Sequence, residues 1–271
     1  FSGRLNLHHT DISLPGVGPD VSVTRIYHSS LKVPGIVNVP LLDSHNAFGF
    51  GWDIHFGRVL TTKYPSSTDC GENFDYVDDN PILELSDGSK QNFYLPLSGS
   101  DVQHHMISDH SWVMDCGIDG SRKYFIVTDQ SGTKYTFDFR GAYATLEGAI
   151  VNDPVKYAWY LTKAEDLNGN TVIYSYTQVN GVDAPDTVVA SDGRRLVFKY
   201  KDGMLDSIDG GYGLVARETW KYTYEEITPP TQITRGVKKL VSAIGPENIQ
   251  WIYDYYLLSD SYGMYNIKSV T

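Results

Sequence analysis

The chain has 271 residues, of which 33 are acidic and 22 are basic, and its formal net charge is −11. Contacts to phosphate need clustered Lys and Arg, and no such cluster occurs, so the composition argues against a nucleic-acid partner. No apolar run approaches the ~20 residues of a membrane helix, and the 20 Tyr residues favour an all-β fold because aromatic side chains suit pleated surfaces.

Residues 1–62 form the first predicted segment. Alternating apolar residues at 5–14 predict a strand, Pro-Gly and Gly-Pro pairs at 15–19 turn the chain, and residues 21–26 predict the returning strand.

The same segment contains an aromatic corner, FGFGW at 48–52. Gly49 and Gly51 between large rings indicate a sharp bend or a close backbone approach. A ligand site is one interpretation of this corner. A packed aromatic core is favoured, because buried aromatic residues mostly serve packing.

An acidic stretch follows at 63–81. Its spacing does not match the ligand positions of an EF-hand loop, so a solvated loop is expected in preference to a calcium site.

Two cysteines, Cys70 and Cys116, are the only ones in the chain. An even count in a secreted protein favours a disulfide, and we predict one between them. The alternative is a pair of buried free thiols in a protein kept in the cytosol until export.

Residues 63–271 read as a sheet of consecutive β-hairpins, continuous with the first segment and cut off at the C-terminal end of a longer array. Short alternating runs flank turns of the Asn-Gly and Asp-Gly type, whose residues tolerate positive φ. The predicted turn glycines are Gly88, Gly132, Gly169, Gly193 and Gly203. The first four are separated by 44, 37 and 24 residues, which fits a sheet that keeps adding strands better than a propeller with fixed blades.

Aromatic residues alternate along these strands and predict one aromatic face, which ordinary cross-strand packing explains. The stripe comprises Tyr174, Tyr176, Phe198, Tyr200, Trp220, Tyr222, Tyr224, Trp251, Tyr253 and Tyr255.

The segment YKDGMLDSI at 200–208 resembles the YD repeat of Rhs proteins. It departs from the usual pattern by having Lys201 between Tyr and Asp and Met204 where Arg is common. The Leu-Pro-Gly stretch at 14–16, the Arg-x-Tyr-x-Ser stretch at 25–29 and the Gly-x-Gly-Trp stretch at 49–52 are similar to the N-terminal part of Rhs polypeptides. The resemblance covers about Gly3 to Thr271.

The resemblance implies an all-β spiral shell, related to the B and C components of insecticidal toxin complexes and to teneurins. In bacterial members such a hollow shell encloses a C-terminal toxin domain. The implied function is therefore a structural, non-catalytic shell segment, with the rest of the same polypeptide and its toxin domain as partners. The implied location is secreted or at the cell surface, or in the bacterial cytoplasm before export. The self-cleavage site of such shells is not carried over, since only Asp153-Pro154 resembles its motif.

Chemistry-bearing motifs are missing from the sequence: no nucleophile elbow, zinc-protease motif or phosphate loop occurs. The densest histidine group is His104, His105 and His110, and adjacent strand residues point to opposite faces, so a surface cluster is expected in preference to a metal site. We therefore predict no enzyme, no cofactor and no metal. A hydrolase using scattered carboxylates is a weaker interpretation.

A binding module is the main alternative. Tyr and Trp side chains stack on sugar rings, so a cell-surface carbohydrate- or protein-binding β module, with a glycan or a secretion-system component as partner, also fits the composition. Two bare edges of the predicted sheet would favour self-association.

Overall fold

The computed structural model describes residues 5–28, 47–61, 80–94, 106–119, 122–142, 157–226, 238–259 and 264–271. The described chain is almost entirely antiparallel strand, as the composition predicts, with one short 3-10 element at Pro246–Asn248. The strands are β1 (Asn6–Leu14), β2 (Val21–His28), β3 (Trp52–Asp53), β4 (Arg58–Thr61), β5 (Ile82–Glu84), β6 (Lys90–Tyr94), β7 (Met106–Ser108), β8 (Val113–Asp119), β9 (Arg122–Thr128), β10 (Lys134–Ala142), β11 (Tyr157–Glu165), β12 (Thr171–Val179), β13 (Val182–Ala190), β14 (Arg194–Lys201), β15 (Met204–Tyr212), β16 (Val215–Glu226), β17 (Lys238–Ile244), β18 (Gln250–Ser259) and β19 (Met264–Val270).

These strands form two sheets. β1, β2 and β3 make a three-stranded sheet, and β4 to β19 make a sheet of sixteen strands in which each strand pairs with the next one in sequence. The prediction of an extended antiparallel sheet of consecutive hairpins is confirmed. Both sheets contribute to one hydrophobic core, which joins Ile12, Val23 and Trp52 to Trp220 and Tyr253.

The large sheet closes on itself part-way along. Residues 157–160 of β11 pair with residues 61–58 of β4, whereas residues 163–165 of β11 pair with residues 173–171 of β12. We call the pairing of β4 with β11 the seam. Because β11 also pairs with β10, the strands from β4 to β11 form a closed ring of eight, and the sheet continues from β12 onward.

The expectation of two bare edges is therefore wrong at the β4 edge, because β11 covers it. At the other end, β19 pairs with β18, and no described strand lies on its outer side. Self-association through that remaining edge stays a prediction.

Side chains fill the inside of the ring. Each of its eight strands contributes an apolar residue with at most 2% of its surface exposed, all in one core cluster: Val59, Leu83, Phe93, Met106, Met114, Phe125, Phe137 and Trp159. Eight strands enclose a space that such side chains are just large enough to fill. Within the ring the structure thus has a packed core and no hollow.

Three hairpin turns in the ring and the turn that follows it, between β11 and β12, share one geometry. They lie at 85–89, 108–112, 129–133 and 166–170, where the first N–H bonds the fifth carbonyl and the fourth N–H bonds the first carbonyl. The fourth residue has positive φ in every case: 82° at Gly88, 58° at Ser111, 83° at Gly132 and 82° at Gly169. The long predicted interval of 44 residues between Gly88 and Gly132 contains one more turn of this kind. Its left-handed position is occupied by Ser111, so a search for glycines misses it.

The predicted boundary between segments 1–62 and 63–271 stays a prediction. β4 falls within the first segment by sequence and is the first strand of the large sheet in space. Nearly all of the acidic stretch at 63–81, as well as His104, His105 and Cys70, lies outside the described residues.

We expect Leu83→Ala to lower the free energy of unfolding by about 2–5 kcal/mol, because Leu83 is 1% exposed inside the ring and its truncation leaves a cavity. Leu214→Ala is the matched control, since Leu214 is 92% exposed and should change stability by less than about 0.5 kcal/mol. Urea unfolding followed by tryptophan fluorescence measures both values. Equal losses in the two variants would contradict a filled ring.

Candidate functional site

The aromatic stripe lies on the inner face of the large sheet. Six of its members are buried and four are half-buried against the same core, so the stripe does not form an exposed platform. The buried members are Tyr174, Phe198, Trp220, Tyr222, Tyr253 and Tyr255, and the half-buried ones are Tyr176, Tyr200, Tyr224 and Trp251.

Three tyrosines of the stripe bridge strands that separate. In the hairpins β11–β12, β13–β14 and β17–β18, only three residue pairs form next to the turn. Beyond that ladder, the hydroxyls of Tyr176, Tyr200 and Tyr255 each donate a hydrogen bond to a carbonyl 15 residues earlier. The acceptors are the carbonyls of Leu161, Pro185 and Leu240, at 2.7, 2.6 and 2.7 Å. The hydroxyl thus satisfies a buried backbone group that the ladder no longer reaches.

Register shifts toward the following strand occur at these three tyrosines and also at Tyr224. The shifts fall between Ser175 and Tyr176, Lys199 and Tyr200, Thr223 and Tyr224, and Asp254 and Tyr255. Such irregularities bend a strand and increase its twist. Burial, and next to it the charge of Asp186, raises the pKa of Tyr200, so its phenol stays a donor. The repeated tyrosine therefore occurs where the sheet bends and also bridges the adjoining gap.

A buried ion pair, which we call the anchor, fastens the small sheet to the large one. Arg25 donates from Nε and Nη2 to the Asp11 carboxylate at 2.5 and 2.8 Å, and from Nη1 to the Tyr253 hydroxyl at 2.8 Å. Tyr222 donates to the same carboxylate at 2.7 Å. The guanidinium lies 5.1 Å from the ring centroid of Trp52, within the range of a cation–π contact.

The electrostatics of the anchor keep the Arg25 guanidinium charged. Burial lowers the pKa of Arg25, but the neighbouring Asp11 carboxylate outweighs it and raises that pKa above its ordinary value. Burial, followed by the charge of Asp11, holds the pKa of Tyr222 well above its usual range, so the phenol remains a donor.

A second buried arginine fastens the turn between β1 and β2. Arg194 donates to the carbonyls of Val17 and Pro19 at 2.7 and 3.0 Å and to the Asp192 carboxylate at 2.8 Å. Asp192 also accepts from the Val17 N–H at 2.8 Å. A Cβ on Gly16 would lie 2.3 Å from the Arg194 side chain, which explains why glycine occupies that position.

A third buried arginine lies at the seam. Arg58 donates from Nε to Glu84 at 2.6 Å and its Nη1 lies 2.9 Å from Asp53, and Lys90 approaches Glu84 at 3.5 Å. Although burial raises the pKa of Glu84, Arg58 and the other cationic neighbours lower it to about 2. The carboxylate therefore stays ionised and paired.

These three arginines were not predicted from the sequence. The only local signal was the Asp-Gly-Arg order before Arg194. Asp11 lies close in sequence to Arg25 and on the neighbouring strand, yet the inward direction of both charges is not encoded locally.

The predicted turn glycines all adopt positive φ: 82°, 83°, 82°, 91° and 75° at Gly88, Gly132, Gly169, Gly193 and Gly203. They lie in turns between consecutive strands. The structure does not gather them into a site.

The aromatic corner is a packed part of the core. Phe48 and Trp52 are buried, Trp52 Nε1 donates to the Tyr255 hydroxyl at 2.9 Å, and a Cβ on Gly51 would lie 2.6 Å from the Tyr27 ring. The close approach therefore serves packing.

Cys116 is disulfide-bonded, and Cys70 lies outside the described residues, so their pairing stays a prediction. In the part of the chain that the structure describes, no group of three or more His, Cys, Asp and Glu side chains is placed to hold a metal ion. His110 is exposed. None of the helical segments described is long and apolar enough to span a membrane.

Comparison with known proteins reveals similarity of structure alone. No protein-family model and no curated protein matches the sequence. A TcdB2-TccC3-Cdc42 crystal structure matches with a TM-score of 0.53 at 10% identity, covering 94% of this chain and 16% of that one. A TcdB2-TccC3 crystal structure matches with a TM-score of 0.51 at 10% identity, covering 95% and 17%.

The N-terminal domain of the effector protein SpvB from Salmonella typhimurium strain LT2 has a TM-score of 0.38 at 11% identity, with 97% and 98% of the two chains covered. The chain spans about a sixth of the length of the TcdB2-TccC3 chains it matches. At 10% identity the two TcdB2-TccC3 similarities show the fold alone, an antiparallel β architecture that this chain shares with those chains.

We expect Arg25→Met to lower the free energy of unfolding by about 3–5 kcal/mol, because it leaves the buried Asp11 carboxylate without its cation. Lys268→Met is the control. The side chains of Lys268 and of its ion-pair partner Asp254 are 63% and 56% exposed, so this pair should contribute no more than about 1 kcal/mol. Urea denaturation compares the two. A small loss in Arg25→Met would show that the anchor does not hold the sheets together.

We expect Tyr200→Phe to destabilise the protein by about 1–3 kcal/mol, because the buried Pro185 carbonyl loses its donor. Tyr256→Phe, on an exposed ring, should change stability by less than about 0.5 kcal/mol. Thermal unfolding measures the difference. An unchanged Tyr200→Phe variant would assign the tyrosine a packing role only.

Proposed function

We propose that this chain is a non-catalytic wall segment of an Rhs-like shell, which encloses or presents a toxin or effector domain carried by the same polypeptide. The seam is the observation that carries the proposal. β4 occupies one half of β11 and β12 the other, so the sheet completes one turn and continues beyond it. Because the ring itself is filled by side chains, the enclosing wall of this proposal is the sheet that continues from β12 onward, with the ring as its closed starting end.

The distribution of side chains supports a mechanical role. Inward-facing residues of the wall are aromatic and aliphatic, and the three inward arginines are bound to carboxylates. A catalytic group needs a cleft and a reachable reacting atom. The buried ion pairs described here hold segments of the chain together, and their carboxylates are already paired.

The similarity to TcdB2-TccC3 chains supports the association with a toxin. Those chains are far longer than this one, so the whole protein's cargo and partners belong to the proposal. We place the protein outside the cell or at its surface after export, and in the bacterial cytoplasm before it.

A carbohydrate- or protein-binding module finds less support. That interpretation relies on an aromatic platform open to solvent, and the stripe residues pack inward. Exposed aromatic residues of the described strands include Tyr94 and Tyr256, which lie on different parts of the sheet.

Protease protection of the full-length polypeptide tests the proposal. The polypeptide and its isolated effector domain are each incubated with proteinase K, and effector peptides are followed by mass spectrometry. We expect the effector to survive at least about tenfold longer in the full-length protein, because a closed wall excludes the protease (an open form is cleaved in proportion to its population). Equal survival in both forms would overturn enclosure.

Two variants connect protection to the ring. Leu83→Arg places a charge in the packed ring interior and should abolish protection, because a buried unpaired charge is strongly unfavourable. Leu214→Arg, at an exposed position, should leave protection intact. Protection that persists in Leu83→Arg would show that this ring is not part of the enclosing wall.

A further inference from the structure

A buried histidine lies between β3 and β4, beside the seam. His55 is 2% exposed, and its Nδ1 accepts a hydrogen bond from the Gly57 N–H at 3.2 Å. The neutral ring therefore carries its proton on Nε2. Within the described parts of the chain that Nε2 has no hydrogen-bond partner, and the Glu84 carboxylate oxygen lies 4.0 Å away.

Gly57, which donates to His55, makes the first hydrogen bond between the chain leading into β4 and β11. The Gly57 carbonyl accepts the Leu161 N–H of β11 at 3.1 Å, and the next residue, Arg58, is paired with Tyr160. Both backbone groups of Gly57 are therefore hydrogen-bonded: its N–H to His55 and its carbonyl to β11. Any change that repels Gly57 from the imidazole acts directly on the closure of the ring.

Among the described residues, the two carboxylates near His55 are already paired with a cation. Arg58 from β4 binds both Glu84 of β5 and Asp53 of β3. Lys90 of β6 also approaches Glu84. The remaining titratable groups of this cluster are His28 of β2, and Tyr160 of β11 through Arg58. A second cation at His55 would therefore lie beside Arg58 without a carboxylate of its own.

We propose that His55 is an acid-sensitive latch of the seam. Protonation at Nδ1 removes the acceptor of the Gly57 N–H, since an imidazolium only donates. It also places a positive charge next to Arg58 in a site that excludes water, where desolvation of an unpaired ion is costly. The favoured response is separation of β4 from β11, which exposes the ring to solvent.

The sign of the pH dependence follows from the shifted pKa. Burial first, and then the Arg58 charge, lower the pKa of His55 to about 4, whereas an exposed histidine in the opened state titrates near 6.5. The closed state is thus fully favoured above pH 6.5 and loses that advantage as pH falls toward 4. The opening equilibrium should rise about 70-fold between pH 7.5 and pH 4.5.

The Glu84 carboxylate sets the lower end of the useful range. Its pKa is about 2 in the closed state, below the ordinary value of a glutamate. Its contribution to closure is present above that ordinary value and is lost only as pH falls further toward 2. Measurements that stop at pH 4.5 therefore report mainly on histidine.

Hydrogen exchange of the full-length polypeptide measures the opening. Amide protection, corrected for the intrinsic effect of pH, is followed for residues 58–61 and 157–161 and compared with residues 187–189 of β13 as an internal reference. We expect protection at the seam to fall about 70-fold from pH 7.5 to 4.5, while the reference changes less than about twofold. Constant protection at the seam over this range would overturn the proposal.

Three variants test whether His55 causes the loss of protection at the seam at low pH. His55→Asn keeps an oxygen that accepts from Gly57 but does not titrate, so its seam protection should not depend on pH. His110→Asn, at an exposed histidine, should behave as the wild type. His28→Asn should retain most of the fall; if it removes the fall while His55→Asn does not, His55 is not the latch.

A titration of the unmodified protein gives an independent check in case His55→Asn does not fold. Nitrogen NMR of labelled histidine reports both the tautomer and the titration midpoint. A protonated Nε2 at neutral pH and a midpoint near pH 4 support the latch. A midpoint near 6.5, or a protonated Nδ1 at neutral pH, would overturn it.

Discussion

The pairing of β4 with the first half of β11 is the constraint on which the rest of the structure depends. Because it occupies only residues 157–160, the second half of β11 stays available to β12. One strand thereby closes a ring and also starts the next part of the sheet. Without this division the chain would be a long open sheet with its apolar face exposed to water. With it, apolar side chains from all eight strands are buried inside the ring.

Separation of neighbouring strands leaves carbonyls of the large sheet without a partner in the ladder, and three tyrosines supply the missing donors. Hairpins that separate after three residue pairs leave carbonyls beyond the reach of the neighbouring strand. A phenol combines a large apolar ring with a donor at its tip, so it fills the gap and satisfies the carbonyl together. The Tyr-rich composition is thus linked to the curvature of the sheet and does not require a ligand.

Buried arginines connect parts of the chain that hairpin pairing does not join. Arg25 joins the small sheet to β16 and β18, Arg194 joins the turn at 15–19 to the β13–β14 turn, and Arg58 joins β3 to β5. Each is bound to a carboxylate, because a buried charge without a partner of opposite sign would be strongly destabilising. These ion pairs mainly determine which segments pack together and add less to the overall stability. Any other packing of the segments would leave an unpaired ion in the core.

The sequence by itself determined the class of fold, the hairpin pattern, the common face of the aromatic residues and most turn positions, because these depend on residues within about ten positions of one another. It did not reveal Ser111 as a turn residue, since φ above zero is uncommon for residues other than Gly. Only the tertiary structure decided that β4 meets β11, that the ring is filled, and that Arg25, Arg58, Arg194 and His55 point inward. Those features join residues separated by up to 228 positions, and no local period or propensity encodes which distant strand a short edge will select.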